Sequence, residues 1–345
     1  MSVRLLTAGV TVEVDTAAGS SGRWRELVRE ACAGHELDEG ALSSTAPGCP
    51  LADVLVTVTQ RTGPGPSERH RLVTRGAWTD GSEVILQDAC SSGVDLVVRP
   101  LGDRLEVVAR PRPGWRHRAL GLVAPDRQVL LHRAVLLQYP ALWWSGVLGR
   151  VPLHVSAATV DGFGVVLAGP GGVGKSTLIA TLDASTGAPV SDNLCTTDGI
   201  DLHGLLEPSR TDSGSGRRMP HGRRESVWSR RDAVVRPDGI LVLRRGFGQD
   251  LVVRDLEPAE TARELVGGTY AAGELRRYWA FAATLALGTG RGPAHPPVAD
   301  LARVLAETLP AWEVLLPARP GVTLRDVVSR VRAFHPVAGE EAWRP

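Results

Sequence analysis

Nine consecutive residues, Gly169-Pro170-Gly171-Gly172-Val173-Gly174-Lys175-Ser176-Thr177, spell the phosphate-loop pattern G-x-x-x-x-G-K-[ST] with every fixed position filled. In such a loop the successive backbone N–H groups of Gly171 to Lys175 form an anion-binding concavity, reinforced by the positive end of the helix that starts near Gly174. Glycine is needed because the backbone wraps closely and some of its residues take positive φ. The Ser176 hydroxyl is the expected Mg²⁺ ligand, and the Lys175 ammonium neutralises a phosphoryl group of a bound nucleotide. Lys175 is also the only lysine in the 345 residues; the other Lys+Arg positions are arginine. A compact, flexible ammonium reaches between phosphates where a rigid planar guanidinium does not.

Two further residues stand where chemistry is expected. Asp192 closes the apolar run Ala188-Pro189-Val190-Ser191, and a carboxylate there either holds Mg²⁺ through water, accepts a proton from an attacking hydroxyl, or simply opens a turn. His154 precedes the loop strand; on its own it is a packed structural histidine or a functional one. Farther along, Arg217, Arg218, Arg223 and Arg224 either close over phosphates or an acidic peptide, or form a solvated face. Arg223 and Arg224 are the stronger nucleotide-binding candidates, because the strand-like Glu225-Ser226-Val227-Trp228 follows and fixes their position.

The elements that must carry these residues follow from periodicity. Leu153 to Val160 and Gly164 to Ala168 read as strands joined at Asp161-Gly162, the second feeding the glycine loop, and Ser176 to Leu182 reads as the helix beyond it. Ala188 to Leu194 and Gly239 to Arg244 read as buried strands, Glu274 to Leu287 and Val298 to Leu309 as helices, Ala311 to Pro317 as a strand and Thr323 to Phe334 as a terminal helix. Upstream, a helix is expected from Pro125, bent or stopped near Pro140. The first hundred residues read as mainly β, with one early helix at Trp24 to Cys32 whose face holds Trp24, Leu27, Val28 and Ala31. Strands are expected at Val54 to Val58 and Glu83 to Leu86, and a hairpin of Val94 to Arg99 with Arg104 to Arg110 around Gly102-Asp103. The Pro- and Arg-rich stretch Arg110 to Arg116 is the expected boundary, and Ser209 to Arg224, without apolar periodicity, is expected to be an exposed loop.

With 43% hydrophobic residues and 39 basic against 38 acidic side chains, the chain has ample core and no global field to draw it to nucleic acid or a membrane surface. Cys32, Cys49, Cys90 and Cys195 are far apart and form no C-x-x-C pair, which excludes a zinc site of that type and fits reduced thiols. No stretch reaches the ~18 apolar residues of a membrane span, since Ala134 to Leu148 is broken by Gln138, Pro140 and Gly146, and Met1 to Gly9 has no signal-like apolar run. The expected location is the cytoplasm.

The run from Leu153 through Thr177, followed by Val190-Ser191-Asp192-Asn193, resembles the catalytic core of HPr kinase/phosphorylase-like proteins, which are related in structure to phosphoenolpyruvate carboxykinases. It looks closest to short homologues encoded with peptide-modifying enzymes, some of which phosphorylate a serine of a precursor peptide. The resemblance implies an α/β fold with a mixed sheet, in a P-loop catalytic domain over residues 113–345; the mainly β region over 1–112 does not resemble the regulatory N-terminal domain of true HPr kinases and is expected to be a recognition layer. It implies ATP and Mg²⁺ as cofactors, His154 as the active-site histidine, and Asp192 as the first of two adjacent aspartates that serve as proton acceptor and metal carboxylate. The second of those positions is Asn193 here, and an amide can ligate a metal or accept a hydrogen bond but cannot take a proton. The long glycine-rich signature of true HPr kinases is not found, so HPr itself is not the expected acceptor. The expected function is an ATP- and Mg²⁺-dependent kinase acting on a hydroxyl, that of serine, in a peptide or small protein. Alternatives are a small-metabolite kinase of the same fold and a non-catalytic nucleotide-binding accessory to a peptide-modifying enzyme. Neither nucleic acid nor membrane is an expected partner, and a homo-oligomer is compatible with the sequence.

Overall fold

A computed structural model describes residues 2–17, 22–31, 51–59, 65–112, 114–211, 216–219, 222–228, 230–318 and 321–334. The chain is mixed α/β and forms two compact units, Met1–Val151, Leu205–Trp228 and Gly273–Pro297 in the first, Pro152–Gly204, Ser229–Ala272 and Val298–Pro345 in the second. It therefore passes between them five times. The expected break between residues 112 and 113 lies inside the first unit.

The first unit opens with β1 (Ser2–Thr7), β2 (Val10–Thr16), α1 (Gly22–Ala31), β3 (Val54–Val58), β4 (Arg71–Thr74), β5 (Ala77–Thr79), β6 (Val84–Leu86), β7 (Val94–Leu101) and β8 (Arg104–Pro111). These eight strands form one sheet in the order β1-β2-β3-β8-β7-β6-β5-β4. β2/β3 and β3/β8 are parallel, and the other pairs are antiparallel. Alternation decides which face is covered: Val10, Val12 and Val14, Val54, Val56 and Val58, and Leu105, Val107 and Ala109 are all buried. The expected β7/β8 hairpin is present and closes at Leu101 and Arg104, with Gly102 at φ 62°. On α1, Leu27 and Val28 are buried as expected; the side chains of Trp24 and Ala31, and all of Cys32 and Cys49, lie outside the described residues.

Beyond the sheet come α2 (Trp115–Val123), α3 (Pro125–Arg133) and α4 (Tyr139–Val147). The stretch read as a connector thus continues into a helix, and α2 has no buried residue, which is why apolar periodicity did not reveal it. The helix from Pro125 does not stop at Pro140. A π segment, Ala134–Gln138, joins α3 to α4, and the Tyr139 N–H bonds the Ala134 carbonyl five residues back. A proline inside a helix removes one N–H and crowds the carbonyl four residues earlier, and a wide turn just before it relieves both. All residues from Tyr139 to Gly146 are buried, with α4 packed on β2, β3 and β8. Leu142 contributes roughly 1.5–3 kcal/mol by burial, and Trp143 and Trp144 are buried beside it.

The chain then enters the second unit through β9 (Val151–Leu153), β10 (Ser156–Val160) and β11 (Phe163–Ala168), followed by α5 (Lys175–Ile179), β12 (Gly187–Ser191), β13 (Cys195–Thr197) and β14 (Leu202–Gly204). It returns to the first unit as a ribbon of β15 (Ser209–Thr211) and β16 (Arg224–Ser226). This corrects the expectation of an exposed loop over 209–224: its two ends pair, and Glu225 is buried against Arg133 at 2.6 Å. A buried ion pair leaves no apolar period to read. Back in the second unit lie β17 (Val234–Val235), β18 (Gly239–Arg245), β19 (Val252–Asp255) and α6 (Pro258–Ala271); α7 (Arg276–Thr289) belongs to the first; α8 (Val298–Thr308), β20 (Ala311–Leu316) and α9 (Leu324–Phe334) complete the second. Helix α7 covers β4 to β7 of the first unit's sheet.

The second unit's main sheet has the order β12-β10-β11-β18-β20-β19, with β11/β18 and β18/β20 parallel and the other pairs antiparallel. A four-stranded sheet, β17-β14-β13-β9, accompanies it, and α6 packs on β11 and β18. Helix α6 has no counterpart in the sequence reading. Its interior Gly267-Gly268 disfavours a helix locally, and two of its three buried residues are threonines, Thr261 and Thr269.

Candidate phosphate-binding site

The tight turn Asp161-Gly162 has φ of 47° and 79°, the paired positive values of a hairpin turn, and it returns β10 antiparallel to β11. β11 ends at Ala168 and the glycine loop begins at once. Gly169 has φ 132°, Gly172 78° and Gly174 122°, so three of the loop's glycines hold conformations that other residues rarely adopt. Pro170, Gly171, Gly172 and Thr177 are exposed, whereas Val173 is buried and anchors the loop. The Arg245 guanidinium, at the end of β18, donates to the Gly172 carbonyl at 3.1 Å. Helix α5 is shorter than expected, five residues rather than seven, and beyond it Thr181 and Leu182 close tighter turns onto Leu178 and Ile179. So short a helix adds little dipole, and any anion held here relies chiefly on the loop's own N–H groups.

Lys175 is buried, at 6% exposure, and its ammonium donates to the carbonyls of Gly169 at 2.7 Å and Pro170 at 3.3 Å. The charge therefore sits folded within the loop. Ser176 Oγ donates to the main-chain oxygen of Asp192 at 3.3 Å. Ser156 Oγ on β10, fully buried, donates to the same oxygen at 2.7 Å. Two hydroxyls from separate elements thus pin the Asp192 backbone beside the start of α5. Sequence reading missed Ser156, and nothing distinguishes it there from an ordinary strand serine.

Asp192 and Asn193 are both buried, at 3% and 5% exposure. Their turn follows a bulge: β10 pairs Ala157 with Ser191 but Ala158 with Pro189, leaving Val190 as the extra residue on the outer strand β12. The Val190 carbonyl accepts from Arg231 Nε at 2.8 Å, and Ser191 Oγ accepts the N–H groups of Asn193 and Leu194 at 3.3 and 3.2 Å. A serine turn of this kind fixes the backbone just past the strand. His154 lies in the link between β9 and β10 rather than in a strand. Its N–H donates to Thr269 Oγ1 on α6 at 3.0 Å, and its Nε2 lies 3.2 Å from Asn193 Oδ1. With that oxygen as acceptor, the imidazole carries its proton on Nε2.

The second unit thus brings together the loop Gly169 to Thr177, Asp192, Asn193 and His154. Arg223 and Arg224 belong to the first unit, where Arg224 donates to the Gly216 carbonyl. Arg217 in the same stretch pairs with Asp126 at 3.2 Å. Phe247, two residues beyond Arg245, is fully exposed between Gly246 and Gly248 and was not singled out from sequence. The hydroxyl of Ser176 and the carboxylate of Asp192 are hard oxygen donors of the kind Mg²⁺ takes, on residues joined at the end of the loop through the Asp192 main-chain oxygen.

Among the described residues one other cluster, His70, Asp80 and Glu83, brings possible metal ligands within 4.8 Å of one another. Arg99 pairs with Glu83 at 2.5 Å and Arg69 with Asp80 at 3.6 Å, so its carboxylates are already met by guanidinium groups. Of the cysteines, Cys195 is buried, which pushes its thiol up to about 12, and burial pushes Cys90 up to about 11. Both are poor nucleophiles in consequence. No helix among the described residues is long and apolar enough to cross a membrane. No protein-family model and no curated protein matches the chain.

Proposed function

We propose that the protein is an ATP- and Mg²⁺-dependent kinase that transfers a phosphoryl group to a hydroxyl, that of serine, on a peptide or small protein. The observation that carries this reading is the hydrogen bond from Ser176 to the backbone of Asp192, which sets a carboxylate residue beside the one loop that carries the lysine. Loop N–H groups and Lys175 would bind phosphates, with the ammonium exchanging the carbonyls of Gly169 and Pro170 for phosphate oxygens. Bound Mg²⁺ supplies charge neutralisation on the transferring group, and Ser176 and Asp192 are the residues that would hold it. Asp192 is also the acceptor for the hydroxyl proton, while His154 and Asn193, joined by their hydrogen bond, orient groups beside it.

The test uses purified protein, γ-labelled ATP, Mg²⁺ and serine-containing peptides, with Lys175→Met as the control. Label in the peptide with wild type and none with the variant is the expected result. ATP binding without label in peptide or small molecule would overturn the reading.

Asn193 favours one other reading. With an amide accepting from His154, only Asp192 in this turn can take a proton, which suits a nucleotide-binding accessory that delivers a peptide to another enzyme. That reading expects Lys175→Met to abolish partner function although the wild type turns over no ATP.

A further inference from the structure

We propose that the first unit carries a binding pocket for an acidic peptide segment, lined by helices α3 and α7 and by the ribbon β15/β16. Resting on the kinase reading for its role, the pocket would be where the acceptor is recognised. The cavity measures 470 Å³, within the ~300–1,000 Å³ of ligand sites. Its buried lining is largely apolar, with Leu131, Ala134, Tyr139 and Met219. The π segment Ala134–Gln138 forms part of the wall, and such segments recur at functional sites.

Charge tells what the pocket fits. Five arginines and three glutamates line it. All three glutamates are answered within the wall: Glu225 by Arg133 at 2.6 Å, Glu207 by Arg210 at 2.9 Å and Gln138 at 2.8 Å, and Glu274 by Arg210 at 3.2 Å. Arg127, Arg276 and Arg277 remain. They are exposed, and among the described residues none has a carboxylate within ion-pair distance. Arg276 and Arg277 also open α7, whose first turn holds no acidic residue. Cations at the positive end of a helix oppose its dipole, so their placement is explained by an anion they meet and not by the helix they begin.

The occupant follows from where these charges stand. They come from two helices, around buried apolar side chains and the internally paired Arg133, Glu207 and Glu225. A small anion would use the arginines and leave the apolar lining unused, whereas a chain segment with carboxylates flanking apolar side chains satisfies both. Guanidinium and carboxylate pair through two parallel hydrogen bonds, which gives such a segment orientation as well as affinity.

The test measures fluorescence anisotropy of an end-blocked, labelled peptide of alternating Glu and Leu, at low salt and without nucleotide. Expected are saturable binding to wild type and binding at least about tenfold weaker for the Gln-for-Glu peptide, for Arg276→Gln/Arg277→Gln and for Arg127→Gln. Lys175→Met should bind this peptide unchanged, so loss of the pocket and loss of the nucleotide site are scored separately. Equal binding of the two peptides, or indifference to the arginine variants, would overturn the proposal. So would failure of the peptide to bind while succinate or inorganic phosphate protects the protein in thermal melts, which would make this a small-anion site. Because the substituted arginines are exposed, melting temperatures should stay near wild type; if the double variant unfolds, Arg127→Gln decides.

Discussion

Replacing Gly169 by alanine should damage the loop through two separable costs. The backbone at φ 132° is strained for any residue with a side chain, on the order of 1–3 kcal/mol. The new Cβ would also lie 2.7 Å from the Leu243 carbonyl and 3.4 Å from Val173 Cγ1. That carbonyl cannot retreat easily, because β18 is paired on both sides, with β11 and with β20, and Leu243 stands opposite Val314. Overpacking against such a wall costs about 1–3 kcal/mol more, for a total of about 2–6 kcal/mol. Gly172→Ala is the matched control: φ is 78°, and nothing lies within 4 Å of the added carbon, so only the conformational cost applies. Urea unfolding followed by far-ultraviolet circular dichroism should place the Gly169→Ala midpoint below that of Gly172→Ala by on the order of 1 M. Equal midpoints would refute the claim that β18 confines the start of the loop.

Asn193→Asp should raise phosphoryl transfer about tenfold or more by adding a second proton acceptor, read as labelled product per enzyme; unchanged turnover at unchanged ATP affinity would count against Asn193 as the limiting residue. Phe247→Ala should weaken ATP about tenfold while leaving tripolyphosphate binding intact, measured by calorimetry, if this exposed ring, two residues beyond the arginine that bonds the Gly172 carbonyl, stacks on the base. Asp80 is held near 2, below its ordinary 3.8, first by the Ser82 hydroxyl and then by the N–H groups of Ser82 and Glu83. A carboxylate lowered in this way stabilises the fold above its unfolded pKa and loses that effect as pH falls through the folded one. Asp80→Ala should therefore cost on the order of 1 kcal/mol at neutral pH, and the difference should shrink as pH drops from 3.8 toward 2 in pH-dependent melts.

Where an element rests on local periodicity or turn chemistry, the sequence was a good guide. The β10/β11 hairpin, β3, the β7/β8 hairpin, β18, α8, β20 and α9 fall close to where alternation, helical spacing and Asp-Gly signals put them. The failures have physical causes. Helix α6 buries Thr261, Leu265 and Thr269, a face too polar to read, yet Thr269 is the residue that anchors His154. The ribbon β15/β16 depends on Arg133, 92 residues before Glu225, and no local window contains both. Arg127, Arg276 and Arg277 meet at one cavity only because α3 and α7 pack into the same unit. Positions that depend on long-range pairing were thus hidden, whereas the glycine loop, being contiguous, was plain.

The turn after β12 sets what the site can do. Ser156 and Ser176 hold the Asp192 backbone from two sides, and Ser191 fixes the next two N–H groups, so residue 193 has little freedom to move away from His154. An aspartate at 193 would draw a proton onto the imidazole and leave two negative groups to divide between metal and acceptor. An asparagine places no charge beside the imidazole and, under the proposed reading, leaves one carboxylate for both duties. A carboxylate that ligates a cation is a weaker base, because the metal stabilises the charge that a proton would otherwise neutralise. Under that reading Asp192 cannot be at full strength in both roles, and the turn, with Asn193 next in sequence, offers no second carboxylate to share them. Under the proposed kinase reading one carboxylate must therefore serve both Mg²⁺ and the acceptor hydroxyl, and Asn193→Asp, which supplies a second, should raise labelled product per enzyme.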